Sequence, residues 1–157
     1  MVTASVPRVY GLDAICAAAL QAGEEESAQF ARRLYSRLSD KDLAAAPVDQ
    51  RAAAAISLLG FARRRLPGVA KVRILNPSLA DHGFESRHTI VQIVNDDMPF
   101  LVDSIANEFN RREIAVHLLA HPVMEARRDL DGDLVGIVLE AGERARPESM
   151  MHVEIDR

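Results

Sequence analysis

The chain has 157 residues, 48% of them hydrophobic and 27% charged, with a formal net charge of -4. That is enough chain for a domain with a buried core, and it carries no basic field to draw in nucleic acid or an anionic membrane. Aromatic residues make up 4%, with no tryptophan for a base-stacking platform, and the single cysteine, Cys16, excludes an internal disulfide and points to the reducing cytoplasm.

The first residues lack the basic stretch and apolar core of a secretion signal, and no apolar run reaches the length of a membrane span. The stretch YGLDAICAAALQAG predicts a short helix that Gly23 stops, with Cys16 packed inside it. In EEESAQFARRLYSRLSD, Phe30, Leu34 and Leu38 recur every four residues and the glutamates suit the positive end of a helix. VDQRAAAAISLLGFARRRLPG predicts a third helix, capped by Asp49, with Ile56, Leu59, Ala62 and Leu66 on its buried face. Arg63, Arg64 and Arg65 fall at its end and read as a solvated terminus rather than a phosphate site.

The composition changes at Pro67 and Gly68, which divides the chain into a helical segment, 1–67, and an α+β module, 68–157. KVRIL alternates, with Val72 and Ile74 on one side and Lys71 and Arg73 on the other. NPS turns the chain, and HTIVQIV, apolar on both faces, predicts a central strand. PFLVDSIANEFNRR returns to helical spacing, with Leu101, Ile105 and Phe109 as its stripe and Asp103, Asn107 and Asn110 opposite. IAVHLLAHPVMEARRD predicts a strand that bends or ends at Pro122. The Asp-Gly turn of DLDGD hairpins it to a strand in LVGIVLEAG, and MMHVEID alternates as a last strand.

Between central strand and helix stands VNDDMPFLVDS. Its two acids have a local role: Asp96 or Asp97 caps the helix, and Pro99 occupies the first helical position, where its missing N–H is no loss. No spaced calcium pattern and no partner for general acid–base work accompanies them. Of the histidines, His117 and His121 share a strand face but stand roughly 13 Å apart, too far for one zinc. Either one can meet His152 across a sheet. No metal site and no catalytic residue is expected. No Gly-x-Gly-x-x-Gly follows a strand, and Lys41 and Lys71, the only lysines, read as exposed.

The segment NDDMPFLVDSIANEFNRREIAVHLL, set between strands, resembles the ACT domain, a small βαββαβ regulatory module, with Asp97-Met98-Pro99-Phe100-Leu101 in place of its Asp-x-Pro-Gly-Leu loop. Phe100 replaces the glycine that lets a bound amino acid approach the backbone. RILNP, VQIVNDDMPFLVDSIANEFNRR, VHLLAHPVMEARRDLDG and ESMMHVEIDR are, in this order, similar to the N-terminal region of the large bacterial NAD-specific glutamate dehydrogenases. That resemblance implies an α+β fold in which N-terminal helices precede an ACT-like, ferredoxin-like βαββ antiparallel sheet with one packed helix, ending before a second ACT helix. It implies a non-catalytic regulatory and assembly fragment of an enzyme that turns glutamate and NAD into 2-oxoglutarate, ammonium and NADH. The chain itself then holds no cofactor, NAD belonging to the full-length enzyme. Its partners are the C-terminal domains of the same long chain, further copies in a homo-oligomer, and an amino-acid effector touching Asn95, Asp96, Asp97, Met98 and Pro99. A sheet edge left bare by the missing elements implies self-association. The alternative is a free-standing ACT-type amino-acid sensor, and a hydrolase built on Asp96, Asp97 and a histidine lacks any spacing that requires it.

Overall fold

The computed structural model describes residues 11–138 and 145–157. Four helices come first, α1 (Leu12–Ala22), α2 (Glu25–Tyr35), α3 (Asp40–Ala44) and α4 (Val48–Ala62). Gly23 ends α1 as expected, and Glu24 and Ser27 cap α2 by exchanging bonds between side chain and backbone. The short α3 was not foreseen; Ser39 caps it by accepting the Asp42 N–H at 3.1 Å.

The reading of α4 needs two corrections. Pro47 holds its N-cap position, so Asp49 lies inside the first turn and does not cap. Its buried face is Arg51, Ala52, Ala54, Ala55, Leu58, Leu59 and Ala62. Leu66 lies past the last helical residue and is 53% exposed, and Ile56 is only half-buried. A run of alanines carries little periodic signal, and here it lets the helix press against neighbours on more than one side.

The remaining elements are β1 (Lys71–Leu75), α5 (Leu79–His82), β2 (Thr89–Asp96), α6 (Leu101–Arg111), β3 (Val116–Ala120), β4 (Val123–Arg128), β5 (Leu134–Val138) and β6 (Arg146–Ile155). The end of the predicted LVGIVLEAG strand lies outside the described residues. The strands form one antiparallel sheet in the order β1-β2-β6-β4-β5, with β3 also paired to β6. β3 and β4 are one path along β6, broken at Pro122, which has no N–H to give the ladder. The β4–β5 turn carries Gly132 at φ 86, where a Cβ would stand 2.7 Å from the Arg65 carbonyl oxygen.

α6 packs Leu101, Val102, Ile105 and Phe109 on Val91, Ile93, Met151, Val153 and Ile155. The helical segment covers the opposite face, joining Phe30, Leu34, Tyr35, Leu58 and Leu59 to Val94, Leu118, Met124 and Met150 in one cluster. The core therefore runs without a break across residue 67, and the α+β, ACT-like βαββ pattern expected from the sequence is present in β2, α6, β3–β4 and β6.

Covering both faces changes what alternation means. In β6 every residue from Glu148 to Ile155 is buried, the polar positions included. In β1 the charged side is the covered one: Val72 and Ile74 are 59% and 67% exposed, whereas Lys71 and Arg73 turn under α4. Lys71 is thus half-buried, not exposed as read from the sequence.

Candidate functional site

The loop at residues 95–99 leaves β2 and enters α6. Asp97 is held by its own N–H, which donates to the Pro147 carbonyl at 3.1 Å, and by Ser149 Oγ, which donates to its Oδ1 at 3.1 Å. Asp96 accepts from Arg65 Nη2 at 2.6 Å and from the Gly68 N–H at 2.9 Å. The Arg65 bond holds the Asp96 carboxyl below its ordinary pKa. Neither acid caps α6, which corrects the expectation for both. The helix starts at Leu101, so Phe100 takes the N-cap position, and it makes no side-chain bond. Met98 and Pro99 are exposed and Asn95 is half-buried.

Phe100 sits at φ 64, ψ 10, in the left-handed region, with its ring 77% exposed. This is the position where the ACT-type loop has glycine, and the backbone supplies the reason: a side chain there is strained by about 1–2 kcal/mol. Phe100→Gly is expected to raise stability by about 1 kcal/mol in a denaturant titration, because the strain goes and little apolar burial is lost. An unchanged or lowered midpoint would show that the exposed ring is held by contacts worth more than the strain.

Below the loop lies a buried ion cluster. Arg65 Nε donates to Glu148 Oε1 at 3.0 Å and Arg65 Nη1 to the Val69 carbonyl at 2.9 Å. Arg128 Nε donates to Glu148 Oε2 at 2.8 Å, and Arg128 Nη2 to the Ala62 carbonyl at 2.7 Å. The arginine triplet is therefore not one solvated end. Arg63 pairs with Glu26 at 2.8 Å, Arg64 is exposed, and Arg65 is buried between Glu148 and Asp96. The loop acid and the end of α4 share one guanidinium, so they cannot move independently.

At the other end of β2 a cleft of about 810 Å³ opens between helices and sheet, with Arg51, Glu154, His88, His117 and Arg157 among its walls. Arg51 Nη1 donates to Glu154 Oε1 at 2.7 Å, and Arg51 Nη2 to the Asp42 carbonyl at 2.8 Å. His152 Nε2 lies 3.1 Å from the same Glu154 oxygen, while its buried Nδ1 has no partner among the described residues. Burial opposes ionisation of Glu154, but His152 and Arg51 overcome it and hold the carboxyl at about 2.

His117 does not meet His152. Its ring stacks on His88, centroids 4.2 Å apart, and its Nε2 lies 2.5 Å from Asp156 Oδ1. Burial, and then the neighbouring His117, lower the His88 pKa. His121 is exposed at the break between β3 and β4. The histidine pair and Asp96 stand at opposite ends of β2, so acids and histidine do not converge as the hydrolase reading requires. His88 carries no sequence signal, since only the β1–β2 connection brings it to β3. Among the described residues no three His, Cys, Asp or Glu side chains form a metal-holding group, and no helix is long and apolar enough to cross a membrane.

An antiparallel βαββ sheet with a gripped strand-to-helix loop defines an ACT-type module. The comparisons agree. The model of the family described as glutamate dehydrogenase, ACT1 domain, matches residues 30–157. The NAD-specific glutamate dehydrogenase of Halomonas elongata is 37% identical over 131 residues, and that of Pseudomonas aeruginosa 34% over 130. Each alignment covers 82% of this chain and 8% of the relative, so the chain spans a small part of the curated relatives it matches. No solved structure matches. The chain belongs to the glutamate dehydrogenase ACT1 domain family and corresponds to the N-terminal region of the NAD-specific enzymes.

Proposed function

We propose that this chain is a regulatory and assembly region of a cytoplasmic NAD-dependent glutamate dehydrogenase and is not catalytic by itself. The full enzyme would oxidise glutamate with NAD to 2-oxoglutarate, ammonium and NADH, with NAD bound by domains outside this chain. The observation that carries the reading is the family match over the whole α+β module, together with a sequence that has no dinucleotide-binding fingerprint. The partners are the other domains of the same long chain and a second copy in a homo-oligomer. Exposed Val72 and Ile74 on the outer strand β1 suit either contact. The test is direct: the purified chain, given glutamate and NAD, is expected to form no NADH. Turnover above the protein-free rate would overturn the reading.

A free-standing amino-acid sensor is the second reading. The start of α6 favours it, because no N-cap side chain takes up the first N–H groups there, just after the loop of Asn95, Asp96, Asp97, Met98 and Pro99. A sensor is stabilised by its ligand, since a ligand bound only to the folded state raises the melting temperature. A melting series with millimolar amino acids is expected to give one specific upward shift that Asp97→Ala removes. A flat series would leave the module as scaffold.

A further inference from the structure

A groove of about 470 Å³ runs between the C-terminal half of α4 and β1, with none of residues 95–99 in its lining. Arg64, Lys71, Arg73 and His82 line it, together with one acid, Asp81. Phe61 orders the cations: Lys71 Nζ stands 4.5 Å from its ring centroid and the Arg73 guanidinium carbon 4.7 Å.

Counting donors shows what the groove lacks. Lys71 Nζ donates to the carbonyls of Phe61 and Arg64 at 2.7 and 2.8 Å, which leaves one of its three hydrogens. Arg73 spends Nε and Nη2 on Gln92 Oε1 and on Ser57, and among the described residues Nη1 has no acceptor. The Arg64 guanidinium has none either among those residues, while its neighbour Arg63 is matched by Glu26. Asp81 accepts instead from Ser78 Oγ at 3.0 Å. Of the four arginines and lysines that line the groove, Arg63 has Glu26, while Arg64, Lys71 and Arg73 have no carboxylate partner among the described residues. For Lys71 and Arg73, both half-buried, that condition is costly. Burial, followed by Arg128 and Arg73, lowers the Lys71 pKa, and burial lowers that of Arg73.

We infer that this groove binds a phosphate-bearing anion, with Arg64, the free hydrogen of Lys71 Nζ and Arg73 Nη1 as its donors. Guanidinium forks match phosphate oxygens, and an ammonium adds a point charge. A monocarboxylate would bring one negative charge to three cations, whereas a phosphate or diphosphate brings two or more. Lys71 and Arg73 are already held by Phe61, the helix carbonyls and Gln92, so of the three donors only Arg64 remains to be ordered on binding. The inference does not depend on the regulatory reading above.

The experiment is calorimetric titration of the 157-residue chain with inorganic pyrophosphate at fixed low ionic strength, with aspartate as a parallel arm. Saturable binding of pyrophosphate at sub-millimolar Kd and none of aspartate is expected. Gly60→Glu provides the decisive variant. Nothing lies within 4 Å of the Cβ position at Gly60, which lines the groove, and glutamate is the better helix former. It is expected to weaken binding about tenfold or more while the melting temperature holds or rises. Arg64→Ala, which removes no internal bond, is expected to weaken it in the same direction. A further arm with ADP separates sources: tighter binding than pyrophosphate marks a nucleotide, and equal binding marks the diphosphate alone as what is recognised. No saturable pyrophosphate binding, binding indifferent to Gly60→Glu, or equal binding of aspartate lost in the same variant would overturn the assignment.

Discussion

Glu148→Ala is expected to cost about 3–5 kcal/mol of folding stability, the range for removing one partner of a buried ion pair. The carboxylate has both oxygens engaged, Oε1 by Arg65 and Arg128 and Oε2 by Arg128, and the two arginine side chains are 1% and 5% exposed. Without it Arg65 retains Asp96, but Arg128 has only the carbonyls of Ala62, Arg63 and Gly132. For a chain of this length the loss corresponds to a fall of about 10 °C in Tm. Glu148→Gln is expected to be milder, because the amide oxygen still accepts from one guanidinium. Urea denaturation checks both. A loss under about 1 kcal/mol for the alanine variant would mean that water reaches the arginines when the carboxylate goes.

The second large effect belongs to Glu154 and appears as a dependence on pH. Its folded pKa is depressed to about 2, against an ordinary value of 4.5. The folded state therefore binds fewer protons than the unfolded chain across that interval. The stabilisation is fully present above the unfolded value and is lost as pH falls from about 4.5 toward 2. The shift corresponds to about 3 kcal/mol. Denaturation midpoints are expected to fall steeply over this window in the parent chain, and much less in Glu154→Gln. Arg51→Met is expected to destabilise at neutral pH by about 3–5 kcal/mol, since it strips a buried carboxylate of its shortest partner. Parallel acid limbs for the parent and Glu154→Gln would sink this account and assign acid unfolding to other carboxylates.

Both predictions rest on residues that the sequence reading did not single out as ionic. Glu154 belongs to MMHVEID, whose alternation marks one more strand and whose polar side suggests a histidine neighbour for His152 but no arginine, and Glu148 precedes that stretch. Alternation reports two chemically different faces and is silent on whether the polar face meets water. Here the helical segment lies over it and brings Arg51 and Arg65. Nothing local in AAAAISLLG says which sheet face that helix covers. The apolar signals travelled further. HTIVQIV, without a polar side, was legible as central, and the Leu101–Ile105–Phe109 stripe placed α6 on the sheet. Pro122 marked the break between β3 and β4. At the candidate site the loop was legible as a strand-to-helix junction, but its wiring was not. Asp96 lies far from Arg65 in the sequence, and a helix beginning at Leu101 leaves both acids too early to cap it.

One feature of the sheet bears on how the molecule comes into being. β6 is the last of the described strands in sequence, yet it stands at the centre, with β2 on one side and β3 and β4 on the other. Until it is made, β1–β2 and β4–β5 are separate hairpins with no strand in common, and isolated hairpins are marginal in water. On the ribosome, where earlier residues emerge first, the helices that cover the sheet are made before β6, but the two hairpins stay unjoined until Ile155 is clear of the exit tunnel. The sheet then closes in a single late step. The interval before that step is when the nascent chain is most exposed to chaperones and to aggregation.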